Sequence, residues 1–188
     1  MSGDHSGNQQ RAGIDSGSMR RRSSALSAFF VVLALNLFAS SNRPKYSSAR
    51  IDGSGQLHIV LNAGREITPR RLKDQVAFSN ASISPDHKTI GWLADFPDPG
   101  ASLNKTSPIA GLLVLYRNGR LLHTFTTDQV FWDWRFVAFG GKIAYSTGPM
   151  HGGASECVLR DVTSGAIVAR WKVDSGTLEP AWAKSLRF

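Results

Sequence analysis

A tight turn directly precedes an apolar run in Ala81-Ser82-Ile83-Ser84-Pro85-Asp86-His87-Lys88-Thr89-Ile90-Gly91-Trp92. Pro85 presets a φ angle that suits the bend, and the short acidic side chain of Asp86 is suited to accept backbone hydrogen bonds there. The β-branched and aromatic residues that follow favour a strand. This stretch therefore predicts a turn that leads into a strand.

The same pattern of short apolar runs and turn residues continues along most of the chain. The runs are rich in β-branched or aromatic residues, and Gly, Pro, Asp or Asn bound them. They are Leu57–Leu61, Thr89–Leu93, Leu112–Tyr116, Arg120–Phe125, Val130–Val137, Lys142–Ser146, Cys157–Arg160 and Ala166–Val173. No stretch after residue 45 has a helical period over ten or more residues. We therefore expect a nearly all-β domain.

The residues between these runs indicate how consecutive strands are joined. Asn118-Gly119 is the strongest hairpin signal, because both residue types tolerate a positive φ angle. Ala63-Gly64, Gly140-Gly141 and Ser164-Gly165 are weaker signals of the same kind. Consecutive strands are thus expected to pair as antiparallel hairpins.

A four-strand unit occurs about twice in the chain. Ile90-Gly91-Trp92 aligns with Ile143-Ala144-Tyr145 at an offset of 53 residues, and Gly119 aligns with Gly165 at an offset of 46. The longer loop Asp95–Ser107 of the first copy accounts for the difference. Gly64 has the same neighbourhood as Gly119, so a half unit precedes the two copies, and a fragment at Pro180-Ala181-Trp182 follows them.

Two segments resemble the WD40-like β-propeller repeats of exported bacterial proteins, the TolB type. The stretch from Ala81 to Leu93 resembles the blade motif S-P-D-G-K-x-I-A-[WF], with His87 where the motif prefers glycine. The segment 157–173 contains Leu159-Arg160-Asp161-Val162-Thr163-Ser164-Gly165, which resembles the blade ending L-x-D-[VL]-x-[ST]-G. The resemblance implies propeller-like blades and leaves the ligand and the activity open.

The length of the chain limits how many blades it can form. A blade takes about 40–45 residues and a propeller has about four to eight blades, so the residues after Ser41 make at most three. The chain could be an incomplete propeller with locally capped edges, a ring completed by self-association, or a twisted β-sandwich. We expect the first: an all-β fold of two to three four-stranded antiparallel sheets, not closed into a propeller and preceded by a signal or anchor helix.

The first 55 residues divide into three segments of different character. Residues 1–18 are polar and rich in Gly and Ser, which predicts a disordered leader, and Met19 is a plausible true start. In residues 19–41, Arg20-Arg21-Arg22 precede the apolar run 25–39, which is typical of a signal peptide or an uncleaved N-terminal membrane anchor. Residues 42–55 are expected to be a tether and residues 56–188 the β-domain.

Charge and cysteine content narrow the classes of partner. The chain of 188 residues has 22 Lys+Arg, 14 Asp+Glu and one cysteine, so an intramolecular disulfide scaffold is excluded. After residue 41 the basic residues are scattered, with Arg70-Arg71 and Lys73 as the only cluster, and we expect no nucleic-acid partner. The basic surface is either simply solvated or attracted to an anionic lipid or cell-wall polymer.

No catalytic or metal-binding motif is present. The sequence contains no G-x-S-x-G, H-E-x-x-H or P-loop motif, and no two of its five histidines have metal-ligand spacing on one element. We therefore expect no metal site and no cofactor. Cys157 is expected to be a small buried side chain, although a reactive thiol is the alternative.

The loop from Ser146 to Glu156 is the first candidate site. It is glycine-rich and joins two predicted strands, and loops on rigid β scaffolds often carry binding groups. His151 and Glu156, with Ser146, could form an acid–base or polar recognition site. The alternative is a plain loop with an exposed histidine.

The aromatic segment Phe131–Phe136 is the second candidate site. In a regular strand Trp132, Trp134 and Phe136 share one face, and Asp133 and Arg135 share the other and are able to pair. The aromatic face then either fills the core or, with Trp132, Trp134 and Arg135 exposed, binds a sugar or a peptide.

These observations lead to three hypotheses about function. The first is an exported or membrane-anchored periplasmic module, not an enzyme, that binds a protein or an envelope component. The second is an envelope hydrolase that uses His151 and Glu156. The third is a structural β-module held at the membrane by residues 25–39, and self-association is compatible with all three.

Overall fold

The computed structural model describes residues 45–98 and 108–186. These residues fall within one compact unit, 43–188. The predicted leader over 1–18 and the predicted signal or anchor over 19–41 lie outside the described residues. Within the described ranges, no helix has the length and the apolar character needed to span a membrane.

The described residues form eleven strands and one short 3-10 turn at Ala138–Gly140. The strands are β1 Tyr46–Ile51, β2 Leu57–Leu61, β3 Glu66–Ile67, β4 Ala77–Ile83, β5 Thr89–Phe96, β6 Ile109–Arg117, β7 Arg120–Thr126, β8 Val130–Val137, β9 Lys142–Gly148, β10 Glu156–Asp161 and β11 Ile167–Lys172. The expectation of a nearly all-β fold is confirmed for the described residues.

Three antiparallel sheets contain these strands in chain order. Sheet 1 has the order β1-β2-β3, sheet 2 has β4-β5-β6-β7, and sheet 3 has β8-β9-β10-β11 with β11 at one edge and β8 at the other. Each four-stranded sheet is a simple meander, the arrangement of a propeller blade. The described sheets do not close into a ring, and sheet 1, where the sequence predicted a half unit, has three strands.

The internal repeat of the sequence corresponds to the repeat of the sheets. Gly91 lies in β5 and Ala144 in β9, the second strand of each four-stranded sheet. Gly119 and Gly165 occupy the turns between the last two strands of these sheets, and both have a φ angle near 75°, at 77° and 72°. Asn118 also has a positive φ of 54°, so the Asn-Gly hairpin is confirmed.

The predicted tether over residues 42–55 is wrong for Tyr46–Ile51, which form β1. This strand pairs with β2 from Tyr46↔Leu61 to Ile51↔Leu57. The Tyr46 side chain is fully buried, whereas Ser47, Ser48 and Arg50 are exposed. Polar residues dominate this edge strand, so its short apolar pattern was too weak to read from the sequence.

The turn that opens β5 also holds β1 in place. His87 has a φ of 57°, which explains why the blade motif prefers glycine at this position. Asp86 accepts a hydrogen bond from the Ser84 hydroxyl at 2.6 Å, and the Ser84 Oγ accepts one from the Thr89 N–H at 2.9 Å. The Tyr46 N–H donates to the carbonyl of His87 at 2.9 Å, so the turn is part of the contact between sheets 1 and 2.

Two apolar clusters join the three sheets. The cluster between sheets 1 and 2 includes Tyr46, Ile59, Ile90 and Trp92. The cluster between sheets 2 and 3 consists of Leu93, Leu113, Leu115, Phe125, Phe131, Trp134, Ile143, Tyr145, Val158 and Val162. Burying side chains of this size is the main favourable term in folding, so each sheet is stabilised by its neighbour.

The two ends of the stack are closed in different ways. On the outward side of sheet 1, the His58 ring bridges the carboxylates of Asp52 at 2.9 Å and Glu66 at 2.5 Å, next to Arg50. On the outward side of sheet 3, the C-terminal residues Ala183 and Leu186 cover Ala144, Cys157 and Leu159. A polar outer face and a covering segment both make a terminal sheet compatible with water. Among the described residues, the sheets of a single chain are thus not closed into a propeller, as expected.

Candidate functional site

A cavity of about 760 Å³ lies between sheets 2 and 3, at the end of the strands where the 149–155 loop begins. It is bordered by β4, β5 and β6 on one side and by β8 on the other. Its lining residues are Ser79, Asn80, Leu93, Asp95, Asp98, Pro108, Ile109, Ala110, Val130, Phe131, Trp132, Met150 and His151. Two residues that the sequence singled out, Trp132 and His151, therefore line one cavity.

A β-bulge in β8 directs Trp132 into this region. Phe131 pairs with Thr147 and Asp133 pairs with Ser146, so Trp132 has no partner in β9. A bulge adds one residue and shifts the alternation of faces after it. As a result Trp132 is 40% exposed, while Phe131 and Trp134 are both buried in the core between sheets 2 and 3.

The predicted aromatic row of Trp132 and Trp134 is therefore wrong. A regular strand would place these two side chains together on one face, but the bulge at Trp132 breaks the alternation, so Trp132 is exposed at the cavity while Trp134 is buried. Trp134 is 2% exposed and belongs to the core, as one of the two alternatives held. Arg135 lies on the outward face of sheet 3 and pairs with Asp133 at 2.6 Å, which is one of the two pairings that the sequence left open.

A second bulge in β4 faces the first across the two sheets. Ser79 pairs with Leu93 and Ser82 pairs with Gly91, and Asn80 between them has a φ of 45°. Its carbonyl accepts a hydrogen bond from the Trp134 indole N–H at 2.9 Å, and its side-chain amide donates to Asp133 at 3.3 Å. These contacts fix the distance between β4 and β8, the strands on the two sides of the cavity.

Asp95 is the buried charge of the cavity. It is 8% exposed, and its carboxylate accepts a hydrogen bond from the Ser79 hydroxyl at 2.7 Å. Burial raises the pKa of this carboxyl above its ordinary value, and the Ser79 bond opposes that shift only in part. A carboxyl in such a setting gains from a cationic or hydrogen-bonding ligand group.

The 149–155 loop folds back on its own strand and places His151 at the rim. A Cβ atom on Gly148 would lie 1.9 Å from the carbonyl oxygen of Gly153, so the two segments are in backbone contact. The Ser155 N–H donates to the carbonyl of Thr147 at 2.8 Å. Met150 and His151 then reach the cavity from the loop, and His151 is exposed.

The structure does not bring His151, Glu156 and Ser146 together. Glu156 forms an ion pair with Arg170 at 2.6 Å and lines a separate groove of about 630 Å³. Ser146 is fully buried and pairs with Cys157 in β10, and its Oγ has no hydrogen-bond partner. Of the predicted loop site, only His151 belongs to the cavity.

Sequence reasoning missed the residues on the side of the cavity that sheet 2 forms. Asp95 is the one charged residue in the mostly apolar strand Thr89–Phe96, and this was the available signal. Asn80 could not be identified, because the bulge that exposes it depends on pairing with β5. No group of three or more His, Cys, Asp or Glu side chains in the described residues could hold a metal ion.

Comparisons with known proteins give a likeness of fold only. No protein-family model matches the chain, and no curated protein matches it. Among solved structures, it is similar to the β-propeller domain of Cps50 (Swd1) from Myceliophteria thermophila, with 13% identity and a TM-score of 0.38. The match covers 82% of this chain and 49% of that domain, so the chain spans about half of its length.

Proposed function

We propose that this protein is a binding module that holds a protein or envelope component in the cavity between sheets 2 and 3. The observation that carries the proposal is the position of Trp132, which the β8 bulge removes from the core and leaves 40% exposed beside a cavity of about 760 Å³. A cavity of this size with convergent polar groups is typical of a binding site. Exposed Trp side chains are enriched where partners bind.

The chemistry of the cavity favours a ligand with a basic and an apolar part. Asp95 and Asp98 contribute two carboxylates to the lining, while the chain as a whole has a net charge of +8. Phe131, Trp132 and Met150 provide apolar surface beside them. A Lys or Arg side chain in an extended peptide fits this combination, since its stem packs on aromatic surface and its charge pairs with a carboxylate.

The geometry supports binding better than hydrolysis at His151. An acid–base pair must lie within hydrogen-bond reach, and His151 and Glu156 line different cavities. Glu156 is also paired with Arg170. The binding proposal therefore makes no use of Glu156.

The proposed location is outside the cytoplasm, either released into the periplasm or held by residues 19–41 at the membrane. Its support is the order of three arginines and an apolar run before the β-domain. The matches of Ser84–Lys88 and Leu159–Gly165 to blade motifs of exported bacterial proteins are consistent with this location. Either form leaves the β-domain on the non-cytoplasmic side.

A photo-crosslinking amino acid at Trp132 tests the binding site in living cells. The expected result is a discrete crosslinked partner from position 132 that is lost when Asp95→Asn is added. Val168 is the matched control, because it is 49% exposed on the edge strand β11, outside the cavity. Equal products from both positions, or none from position 132 in any envelope fraction, would overturn the proposal.

Intact mass and alkaline washing of the membrane fraction test the location separately. Loss of residues up to about Ser41 with release from the pellet indicates a free periplasmic module. Retention of residues 25–39 in the washed pellet indicates an anchored one. A full-length protein in the cytoplasmic fraction would contradict both forms.

A further inference from the structure

The turn between β8 and β9 holds a large apolar side chain away from the protein. Ala138, Phe139 and Gly140 all have positive φ angles, at 50°, 53° and 87°. Phe139 is 91% exposed. A left-handed backbone is unfavourable for a residue with a side chain, and such strain persists mainly where the surroundings impose it and where function uses it.

Contacts with the neighbouring sheet impose this conformation. A Cβ atom on Gly140 would lie 2.8 Å from the Cβ of Ser84, so the turn is packed against the turn that opens β5. The Gly141 N–H donates to the carbonyl of Ala138 at 3.0 Å, and the Gly141 carbonyl accepts from Val162 at 3.0 Å. The backbone is fixed on both sides, and Phe139 is left pointing away without packing in the fold.

Phe139 lies at the end of the domain where the chain begins its first strand, which we call the proximal end. We define the proximal end as Lys45 and the turns 62–65, 84–88, 118–119, 138–141 and 162–166, with the strand residues next to them. Hydrogen bonds join these turns: Tyr46 donates to His87, Asn62 donates to Lys45, and Gly119 donates to the Tyr46 hydroxyl. The cavity lies at the opposite end of the strands.

The proximal end is basic. Its basic residues are Lys45, Arg65, Lys88, Arg117, Arg120 and Lys142. Its acidic residues are Glu66, Asp86 and Asp161. Asp86 is close to Lys88 and Arg117, so these charges offset one another in part, and Glu66 is bound to His58. The electrostatic potential of the proximal end is therefore positive, which favours contact with an anionic surface.

The apolar run 25–39 ends six positions before Lys45. Six residues span at most about 20 Å when fully extended. If that run is in or at a membrane, the proximal end is the part of the domain that faces the lipid. The position of the apolar run 25–39 therefore favours a membrane as the partner, independently of the positive charge of the proximal end.

We propose that the proximal end docks on an anionic membrane surface, with the Phe139 side chain inserted among the lipid headgroups. Basic side chains near a membrane are attracted to anionic lipid, and an exposed aromatic ring is stabilised at the interface. This goes beyond the binding function of the cavity, which then faces away from the membrane. It rests on the proposed location of the domain outside the cytoplasm and beside a membrane.

Site-specific labelling measures the insertion directly. A polarity-sensitive fluorophore is attached at Phe139→Cys in the protein as isolated from the envelope, with vesicles of phosphatidylcholine and about one third phosphatidylglycerol. Cys157 is fully buried and its thiol pKa is raised to about 11, so it does not compete for the label. We expect a blue shift and quenching by lipid-linked quenchers at position 139.

Leu178→Cys is the matched control for position. Leu178 is also 91% exposed, but it follows β11 at the cavity end. Its label is expected to stay in water with both anionic vesicles and pure phosphatidylcholine. Equal signals at 139 and 178, or no change at 139 with anionic vesicles, would overturn the proposal while leaving the cavity function intact.

Two substitutions separate insertion from a structural role. Phe139→Ser is expected to weaken partitioning to anionic vesicles about tenfold, since one aromatic side chain no longer enters the interface. Lys142→Glu is expected to weaken partitioning and to reduce its dependence on salt. Leu178→Ser should leave partitioning unchanged, and an equal loss in that variant would count against the proposal.

Discussion

The indole ring of Trp134 lies directly against the backbone of Gly91, across the interface between sheets 2 and 3. A Cβ atom at Gly91 would be 2.6 Å from Cη2 of Trp134 and 2.8 Å from Cδ2 of Leu115. Since Trp134 is 2% exposed and its N–H is bound to Asn80, the ring has little freedom to move away. The close packing of sheets 2 and 3 therefore depends on the absence of a side chain at Gly91.

Gly91→Ala should destabilise the protein by about 2 kcal/mol, because the added methyl group forces the ring or the sheets apart. The free energy of unfolding in urea measures this. Gly53→Ala is the control, since a Cβ there meets nothing within 4 Å and its backbone has no positive φ. An equal effect in both variants would show that the packing at Gly91 is looser than described.

Trp134→Ala and Trp132→Ala should have very different effects on stability. Removal of the buried Trp134 ring is expected to cost about 3–5 kcal/mol, because a large cavity remains in the core. Removal of Trp132, which is 40% exposed, should cost less than about 1 kcal/mol. Thermal unfolding of the two variants measures this, and similar losses would contradict the bulge at Trp132.

Phe139→Gly should stabilise the domain by about 1 kcal/mol. Glycine adopts a positive φ without the steric penalty that Phe139 carries at 53°, and the phenyl ring makes no packing contribution when 91% exposed. Chemical denaturation gives the value. Leu178→Gly is equally exposed and has no positive φ to relieve, so its stability should be unchanged or lower.

The His58 network should make stability depend on pH above about 6.5. Hydrogen bonds to Asp52 and Glu66 raise the pKa of His58 above its ordinary value of 6.5. The stabilisation is therefore complete below the unfolded-state pKa and is lost as the pH rises through the higher folded-state pKa. Unfolding in urea over a pH series from about 6 to 9 measures this.

His58→Gln is the control for that dependence, since glutamine does not titrate. We expect the decline in stability between about pH 6.5 and the raised pKa to disappear in this variant. Should the same decline persist without the histidine, another group is responsible. Asp52, whose own pKa is lowered chiefly by the Ser54 hydroxyl, titrates far below this range.

Cys157 should react with a thiol reagent only after unfolding. Its side chain is fully buried, and desolvation raises its pKa to about 11, so little thiolate exists at neutral pH. The rate of labelling in native buffer and in denaturant measures this. Rapid labelling of the native protein would mean that the C-terminal residues Ala183 and Leu186 leave sheet 3 readily.

The sequence predicted the strands with strong apolar alternation and missed those without it. Strands β5 to β11 were visible as apolar runs, and Asn118-Gly119 identified its hairpin. In contrast, β1 and most of β4 contain many Ser and Asn residues, and both strands have irregular pairing. Their formation depends on the neighbouring strand, which local sequence does not report.

The sequence predicted only some residues of the candidate site, for a related reason. The composition of their segments marks Trp132 and His151 as candidate binding residues. That they line the same cavity depends on the bulge in β8 and on the close approach of Gly148 to Gly153. A bulge changes the face of every following side chain, so period-two reasoning fails at that residue. A single charge in an apolar strand is the only sequence signal at Asp95, and that signal does not by itself indicate a cavity.

The two outer faces of the stack differ in how they limit self-association of the chain. Sheet 1 ends in a titratable layer around His58, whereas sheet 3 ends in a covalently attached strip that includes Ala183 and Leu186. Self-association through sheet 3 requires that this segment is displaced, because it covers an apolar face. A variant truncated before Ala183 would therefore expose the apolar face of sheet 3 that includes Ala144, Cys157 and Leu159, and we expect it to self-associate where the full chain does not.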